Sequence, residues 1–173
     1  MKKIIDVFDY AGYICKAMSP GVLLTAKVGD KVNTMTIGWG AIGVEWGKNL
    51  FTAYVRPCRY THQMIEATGE FTVNVPLGDA KKILVYCGTK SGRDTDKIAA
   101  MHLELEQPEA ISVPGIRQLP LTLECKVIYK QQQYPHCMTD PEPATHYPEN
   151  SADIHADYHT AYYGRILSAY IIE

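Results

Sequence analysis

The chain of 173 residues has no CxxC pair, no sustained basic tract and no apolar stretch near the roughly 20 residues that a membrane-spanning helix needs. Its five cysteines, Cys15, Cys58, Cys87, Cys125 and Cys137, are odd in number and widely spread, and nothing before them reads as a secretory leader. That pattern excludes a disulfide scaffold and predicts reduced thiols in a soluble, cytoplasmic protein. The formal net charge of -2 excludes a protein that works by neutralising nucleic-acid phosphates, so any anion site must rest on local arginines. There is no HExxH motif and no GxSxG elbow, which removes the common zinc-hydrolase and serine-hydrolase signatures. In Gly88-Thr-Lys-Ser-Gly92 the Lys-Ser pair precedes the second glycine, the reverse of a phosphate-binding P-loop, so a nucleoside triphosphatase is excluded as well.

What is there fits a single domain spanning 1–173, with enough apolar content for a sizeable core. Gly21 to Val28 reads as a strand, and Gly29-Asp30 supplies turn chemistry for a hairpin into the next segment. Leu50 to Val55 is a second β-rich run, ended by Pro57. The spacing of Tyr60, Met64, Ile65 and Ala67 predicts a helix over 58–67, closed by Thr68-Gly69. Glu70 to Val75 alternates, which turns Phe71, Val73 and Val75 inward. Short helices are expected over 80–86 and 94–101, joined by a loop over 87–92. Long strands are expected over 121–129 and 162–172, with a proline-rich ordered loop or lid over 134–158 between them. Alternating strands with inserted helices favour a mainly β, largely antiparallel barrel of about seven or eight strands over a doubly wound sheet.

Two early segments carry chemistry. Asn33-Thr-Met-Thr-Ile-Gly-Trp-Gly40 and Val55-Arg-Pro-Cys-Arg-Tyr-Thr61 combine neutral hydrogen-bonders, a tryptophan and two arginines three residues apart. Arginine presents a planar fork that matches phosphate, and Arg59 and Thr61 fall at a helix start, where free N–H groups and the helix dipole favour an anion. The pattern suits an anionic, aromatic ligand. Taken singly, Trp39 and Trp46 read equally as core or interface residues, and Arg56 and Arg59 as partners of surface acids. The corner Gly88, Ser91, Gly92, Arg93, Asp94 and Lys97 reads either as a donor-rich ligand contact or as a solvated capping loop. His155 and His159, four apart with Asp153 and Asp157 beside them, would hold a metal only on a helix, which the proline-rich surroundings disfavour. No metal site is therefore assigned.

In order along the chain, the Asn33–Gly40 segment, the Val55–Thr61 segment, Phe71-Thr-Val and Cys87-Gly-Thr-Lys-Ser-Gly-Arg-Asp-Thr-Asp-Lys97 resemble the successive motifs of the flavin reductase-like, FMN-binding split-barrel family, in its flavoredoxin branch. Asp157-Tyr-His-Thr-Ala-Tyr-Tyr-Gly164 resembles that branch's closing strand, from which the chain departs in carrying Arg165 after the glycine. The resemblance implies a Greek-key antiparallel six-stranded split barrel with short helices, a homodimer, and one FMN per subunit. It implies that Asn33, Thr34, Met35 and Thr36 meet the isoalloxazine edge, with Trp39 as a wall. It places Val55, Arg56, Pro57, Arg59, Tyr60 and Thr61 around the ribityl phosphate, and Cys87, Gly88, Ser91, Gly92, Asp94 and Lys97 at the tail or ring.

The activity implied is that of an oxidoreductase taking hydride at flavin N5 from NADH or NADPH and passing electrons to a free flavin or a redox protein. The alternative is an FMN electron carrier of flavoredoxin type without a nicotinamide site. No side chain is required as general acid or base for the hydride step, so no catalytic residue is assigned. His159 is read either as lining the donor site or as a structural or interface histidine. Neither nucleic acid nor membrane is expected as a partner.

Overall fold

The computed structural model describes residues 1–141, 145–147 and 157–173. Strand β1 (Lys2–Ile4) leads through a 3-10 turn at Val7–Tyr10 into helix α1 (Ala11–Ala17), followed by β2 (Val22–Val28), β3 (Lys31–Ile37), β4 (Gly40–Glu45) and β5 (Lys48–Val55). Helix α2 (Tyr60–Thr68), β6 (Glu70–Val75), α3 (Lys81–Thr89), α4 (Lys97–Ala100) and the short pair β7 (Leu105–Glu106) and β8 (Gly115–Ile116) come next. The long strands β9 (Leu121–Gln132) and β10 (Thr160–Ile172) complete the described elements.

One antiparallel sheet runs in the order β3-β2-β6-β9-β10-β5-β4, and β1 pairs with the far end of β10. The path's end strands β3 and β4 are not paired with each other, so the curled sheet forms a split barrel. Its interior is lined by alternate residues, as strand geometry requires: Val22, Leu24 and Ala26 of β2, Phe51, Ala53 and Val55 of β5, and Leu121, Leu123 and Cys125 of β9. Phe71, Val73 and Val75 of β6 face inward as their alternation predicts, each fully buried.

The run from α3 to β8 covers the outer face of β2, β6 and β9. Leu23 packs there against Leu84, Cys87, Leu103, Ile116 and Leu119. Burial on both faces explains why β2 is almost continuously apolar. The other outward residues under this cover are polar and satisfy one another. Thr25 Oγ1 donates to Thr34 Oγ1 or Asn74 Oδ1, each at 3.0 Å, and Asn74 Nδ2 donates to Thr122 Oγ1 at 3.2 Å. Buried Glu124 accepts the backbone N–H groups of Glu109 (2.8 Å) and Ala110 (2.6 Å), which pins the covering chain to β9.

Several boundaries differ from the sequence expectations for physical reasons. Helix α2 begins at Tyr60 rather than 58, because Arg59 is its extended N-cap, and it ends on Gly69 at φ 67°, the left-handed closure expected of a C-terminal glycine. Cys87, Gly88 and Thr89 form the last turn of α3 instead of opening a loop. The second short helix shrinks to α4 because the Asp96 carboxylate caps it by accepting from Ala99 N. Strand β4 carried no recognised signal. Its hairpin to β5 turns through Trp46 (φ 50°) and Gly47 (φ 66°), a mirror-image turn that the right-handed strand twist favours. Trp46 is therefore an exposed hairpin tip and not a core residue. No element is expected from the sequence before Gly21, where the structure has β1 and α1. Asp153, His155 and positions 142–144 and 148–156 of the expected lid lie outside the described residues.

Gly164 sits where β10 changes register against β9, and a Cβ there would lie 2.8 Å from Phe71 Cε1 and 2.9 Å from Cys125 Cβ. Gly164→Ala is expected to destabilise the fold by about 1–3 kcal/mol through overpacking, read as a lowered urea midpoint; an unchanged midpoint would mean that the core is looser than its packing indicates.

Candidate functional site

The site forms where β3, the segment after β5, the start of α2 and the end of α3 converge. Buried Asn33 donates from Nδ2 to buried Thr61 Oγ1 at 2.8 Å, tying β3 to the first turn of α2. Thr36 Oγ1 donates to Leu84 O at 2.6 Å, tying the same strand to α3. Gly92 then lies directly on Asn33. A Cβ at that position would fall 2.6 Å from Asn33 Cγ and 3.0 Å from Nδ2, so the close approach needs glycine.

These ties shape a groove in two parts. The first, about 210 Å³, is lined by Asn33, Arg59, Thr61, Gly88, Ser91 and Lys97, among others. The second, about 180 Å³, is lined by Thr36, Trp39, Tyr54, Arg56 and His159. Met35 and Arg59 line both parts, so the two are contiguous.

The first part is electropositive and rich in donors. Lys97 is only 3 % exposed, and its Nζ has one hydrogen bond among the described residues, to Cys87 O at 3.2 Å. Burial lowers its pKa, with Arg59 adding to the effect and Cys87 opposing it. Among the described residues no acid pairs with Lys97 or Arg59. Arg59, the N-cap residue of α2, makes no side-chain capping hydrogen bond to the helix. Among the described residues, a buried ammonium without a counter-ion, a guanidinium without an acid partner and a helix start without a side-chain cap from its N-cap residue together favour an anion of phosphate type.

The second part is aromatic. The Trp39 ring lies 4.9 Å from His159 and 5.0 Å from His146 between centroids. His159 is 7 % exposed, and its Nδ1 lies 2.5 Å from the Tyr147 hydroxyl. Burial, helped by the Arg56 charge, holds its pKa down to about 4, so the imidazole is neutral at ordinary pH. Arg56 donates to Asp157 Oδ2 at 2.7 Å and to His146 O at 2.8 Å, and its guanidinium lies over the Tyr147 ring. Burial alone would raise the Asp157 pKa, but the Cys58 thiol and Arg56 hold it below the usual carboxylate range. This end can therefore accept a planar, weakly charged ring.

The structure brings together most of the residues singled out from sequence. Asn33, Met35, Arg59, Tyr60, Thr61, Cys87, Gly88, Ser91, Gly92 and Lys97 line the first part, and Thr36, Trp39, Arg56 and His159 the second. Four lie elsewhere. The Thr34 hydroxyl turns into the buried polar row and donates to Leu24 O, and Val55 belongs to the core. Pro57 lines neither part of the groove, and Asp94 lines the adjoining recess beside Asp30 and Lys31. Sequence reasoning missed Tyr54, Tyr147 and the Asp157 tie to Arg56. The alternation of β5 carried a signal only for Tyr54.

The structure thus defines a split barrel whose groove, between sheet and helix, is cationic at one end and aromatic at the other. The chain belongs to the flavin reductase like domain family, whose pattern matches residues 16–173. A flavoredoxin from Methanosarcina acetivorans superposes with a TM-score of 0.68 at 28% identity, over 90% of this chain and 69% of that chain. An FMN-binding domain of flavin reductase-like type from Shewanella baltica superposes with a TM-score of 0.70 at 18% identity, over 99% of this chain and 77% of that one. An uncharacterized protein of Archaeoglobus fulgidus is 30% identical over 109 residues; the match covers 63% of this chain and 61% of that relative's length.

The depressed His159 pKa has a stability consequence. Unfolded, the group titrates near 6.5; folded, near 4. Its contribution is thus complete above pH 6.5 and is lost as pH falls toward 4, by at most about 3 kcal/mol. His159→Gln should flatten the stability profile between those pH values in urea titrations. A slope identical to that of the parent protein would remove His159 as its source.

Proposed function

We propose that this chain binds FMN in the two-part groove and works as an NAD(P)H-dependent oxidoreductase of flavin reductase type. Held in the groove, FMN would supply hydride acceptance at N5 from the nicotinamide and onward electron transfer to a flavin or another acceptor. The observation that carries the reading is the polarity of one continuous groove. Buried Lys97 lies at one end and Trp39 and His159 at the other, and the two parts join at Met35 and at Arg59, which has no acid partner among the described residues. The phosphate belongs with Arg59, Lys97, Thr61 and the start of α2; the isoalloxazine belongs with Met35, Thr36, Trp39 and His159. The flavin supplies the redox chemistry, while these side chains hold the phosphate, orient the ring and exclude water from its edge.

The flavoredoxin likeness at 28% identity favours a second reading, an electron carrier without a nicotinamide site. Mixing FMN-loaded protein with NADH or NADPH under anaerobic conditions separates the two. Bleaching of the flavin band with either nucleotide supports the reductase, and failure with both leaves the carrier.

The assembly we propose is a cytoplasmic homodimer. Val44 and Trp46 of the β4–β5 hairpin and Ile128 and Tyr129 of β9 are large exposed apolar side chains, with Trp46 against Tyr129 at 5.8 Å. An apolar aromatic cluster of this kind suits a self-complementary interface. No helix among the described residues is long and apolar enough to cross a membrane.

Arg59→Ala removes one side of a charge-assisted contact while leaving the fold's own ion pairs intact. FMN affinity should fall by roughly 2–4 kcal/mol, measured by flavin fluorescence quenching. An unchanged dissociation constant would displace the phosphate from this end of the groove.

A further inference from the structure

A second cavity, about 290 Å³, lies beside the ring end of the groove, and Tyr54 forms a wall of both. We propose that it binds an uncharged, planar compound with carbonyl oxygens on a ring, of the quinone class, as the electron acceptor; the acceptor role rests on the FMN reading above.

The lining supports that class. Among the described residues no lysine, arginine, aspartate or glutamate contributes to it, so neither a nucleotide diphosphate nor a charged protein patch finds a counter-charge in that lining. Tyr54, Tyr134 and Tyr163 offer ring faces, and Met138 offers a soft apolar contact. The glutamines offer donors. Gln131 Oε1 already accepts from Tyr129 at 3.3 Å, and Gln133 Oε1 accepts from Tyr147 at 3.0 Å. Each thus has its carbonyl engaged, and among the described residues neither Nε2 group has an acceptor. Amide donors between aromatic walls match ring carbonyl oxygens.

The cavity is also linked to the groove by hydrogen bonds. Tyr147, held by Gln133, lies 2.5 Å from Nδ1 of His159, which lines the ring end. Across Tyr54, the wall the two share, a compound in the cavity is one side chain from the proposed flavin position. Two electrons and two protons taken from dihydroflavin convert a quinone to its hydroquinone and restore the oxidised flavin, so the exchange needs no further reagent.

Equilibrium dialysis of the full chain with duroquinone tests the site, the fully substituted ring being chosen because Cys137 also lines the cavity. Saturable binding is expected with and without saturating FMN. Gln131→Leu, which removes a donor, and Met138→Trp, which fills the cavity, should each weaken it at least fivefold, while Arg59→Ala leaves it unchanged. Absence of saturable binding, displacement by FMN, or indifference to both cavity variants would overturn the site. Duroquinone binding with the expected sensitivities in a protein that does not bind FMN would keep the cavity and discard the cofactor reading. Anaerobic reoxidation of photoreduced, FMN-loaded protein by duroquinone should slow by the same factor in Met138→Trp, and an unchanged rate would overturn the acceptor role.

Discussion

The buried hydrogen bond from Asn33 to Thr61 is the constraint on which the site depends. It joins β3, at one end of the sheet path, to the first turn of α2, and so fixes where the helix presents its free N–H groups. Gly92 packs onto the same carboxamide, which brings Ser91 and buried Lys97 to the other side of the groove. Three chain segments far apart in sequence thus meet at one side chain. Because Asn33 and Thr61 are both almost fully buried, losing either partner would leave an unsatisfied polar group as well as a loose helix. The barrel supplies rigidity around this point through a core that runs from β2 to β10, and the covering segment is held in turn by the Glu124 carboxylate.

The two arginines illustrate how the fold divides labour between residues of one type. Arg56 and Arg59 are only three positions apart, but the chain leaves β5 between them and turns into α2. Arg56 is committed to Asp157, the carbonyl of His146 and the face of Tyr147, and so organises the aromatic end. Arg59 is the N-cap residue, extended and without an acid partner among the described residues, and stands where the two parts of the groove meet. A cation already paired with a carboxylate gains little from a further anion, whereas an unpaired one keeps its full charge for a ligand. An anion entering the groove therefore meets more available charge at Arg59 and Lys97 than at Arg56.

Local pattern carried much of this. The alternation of β6, the β2–β3 hairpin and the glycine closure of α2 were legible because each depends on neighbours within a few residues. The antiparallel barrel followed from those strands, and the ordered motifs pointed to the family. Long-range pairing was not legible. Nothing local announces that Arg56 reaches Asp157, 101 positions away, or that Thr34 turns its hydroxyl into a polar row shared with β2, β6 and β9. Strand β4 was missed because its turn places a tryptophan at positive φ, where asparagine or glycine is the usual signal.

Protonation separates the two ends of the groove further. At the cationic end charge is favoured by a ligand: the lowering of the Lys97 pKa by burial is eased by any anion that arrives beside it. At the ring end charge is suppressed: burial and Arg56 keep His159 neutral, and burial raises the Tyr147 pKa so that its hydroxyl remains a proton carrier. A tyrosine hydroxyl has one proton for two acceptors, Gln133 Oε1 and His159 Nδ1, so the bond it makes decides which imidazole nitrogen carries hydrogen. When Tyr147 donates to Gln133, Nδ1 must donate in turn and Nε2 is left as an acceptor. When Tyr147 donates to Nδ1, Nε2–H becomes a donor. A neutral histidine that can present either face without changing its charge suits a ring whose edge exchanges donors for acceptors on reduction, and that adaptability comes from one hydroxyl contributed by a segment far along the chain.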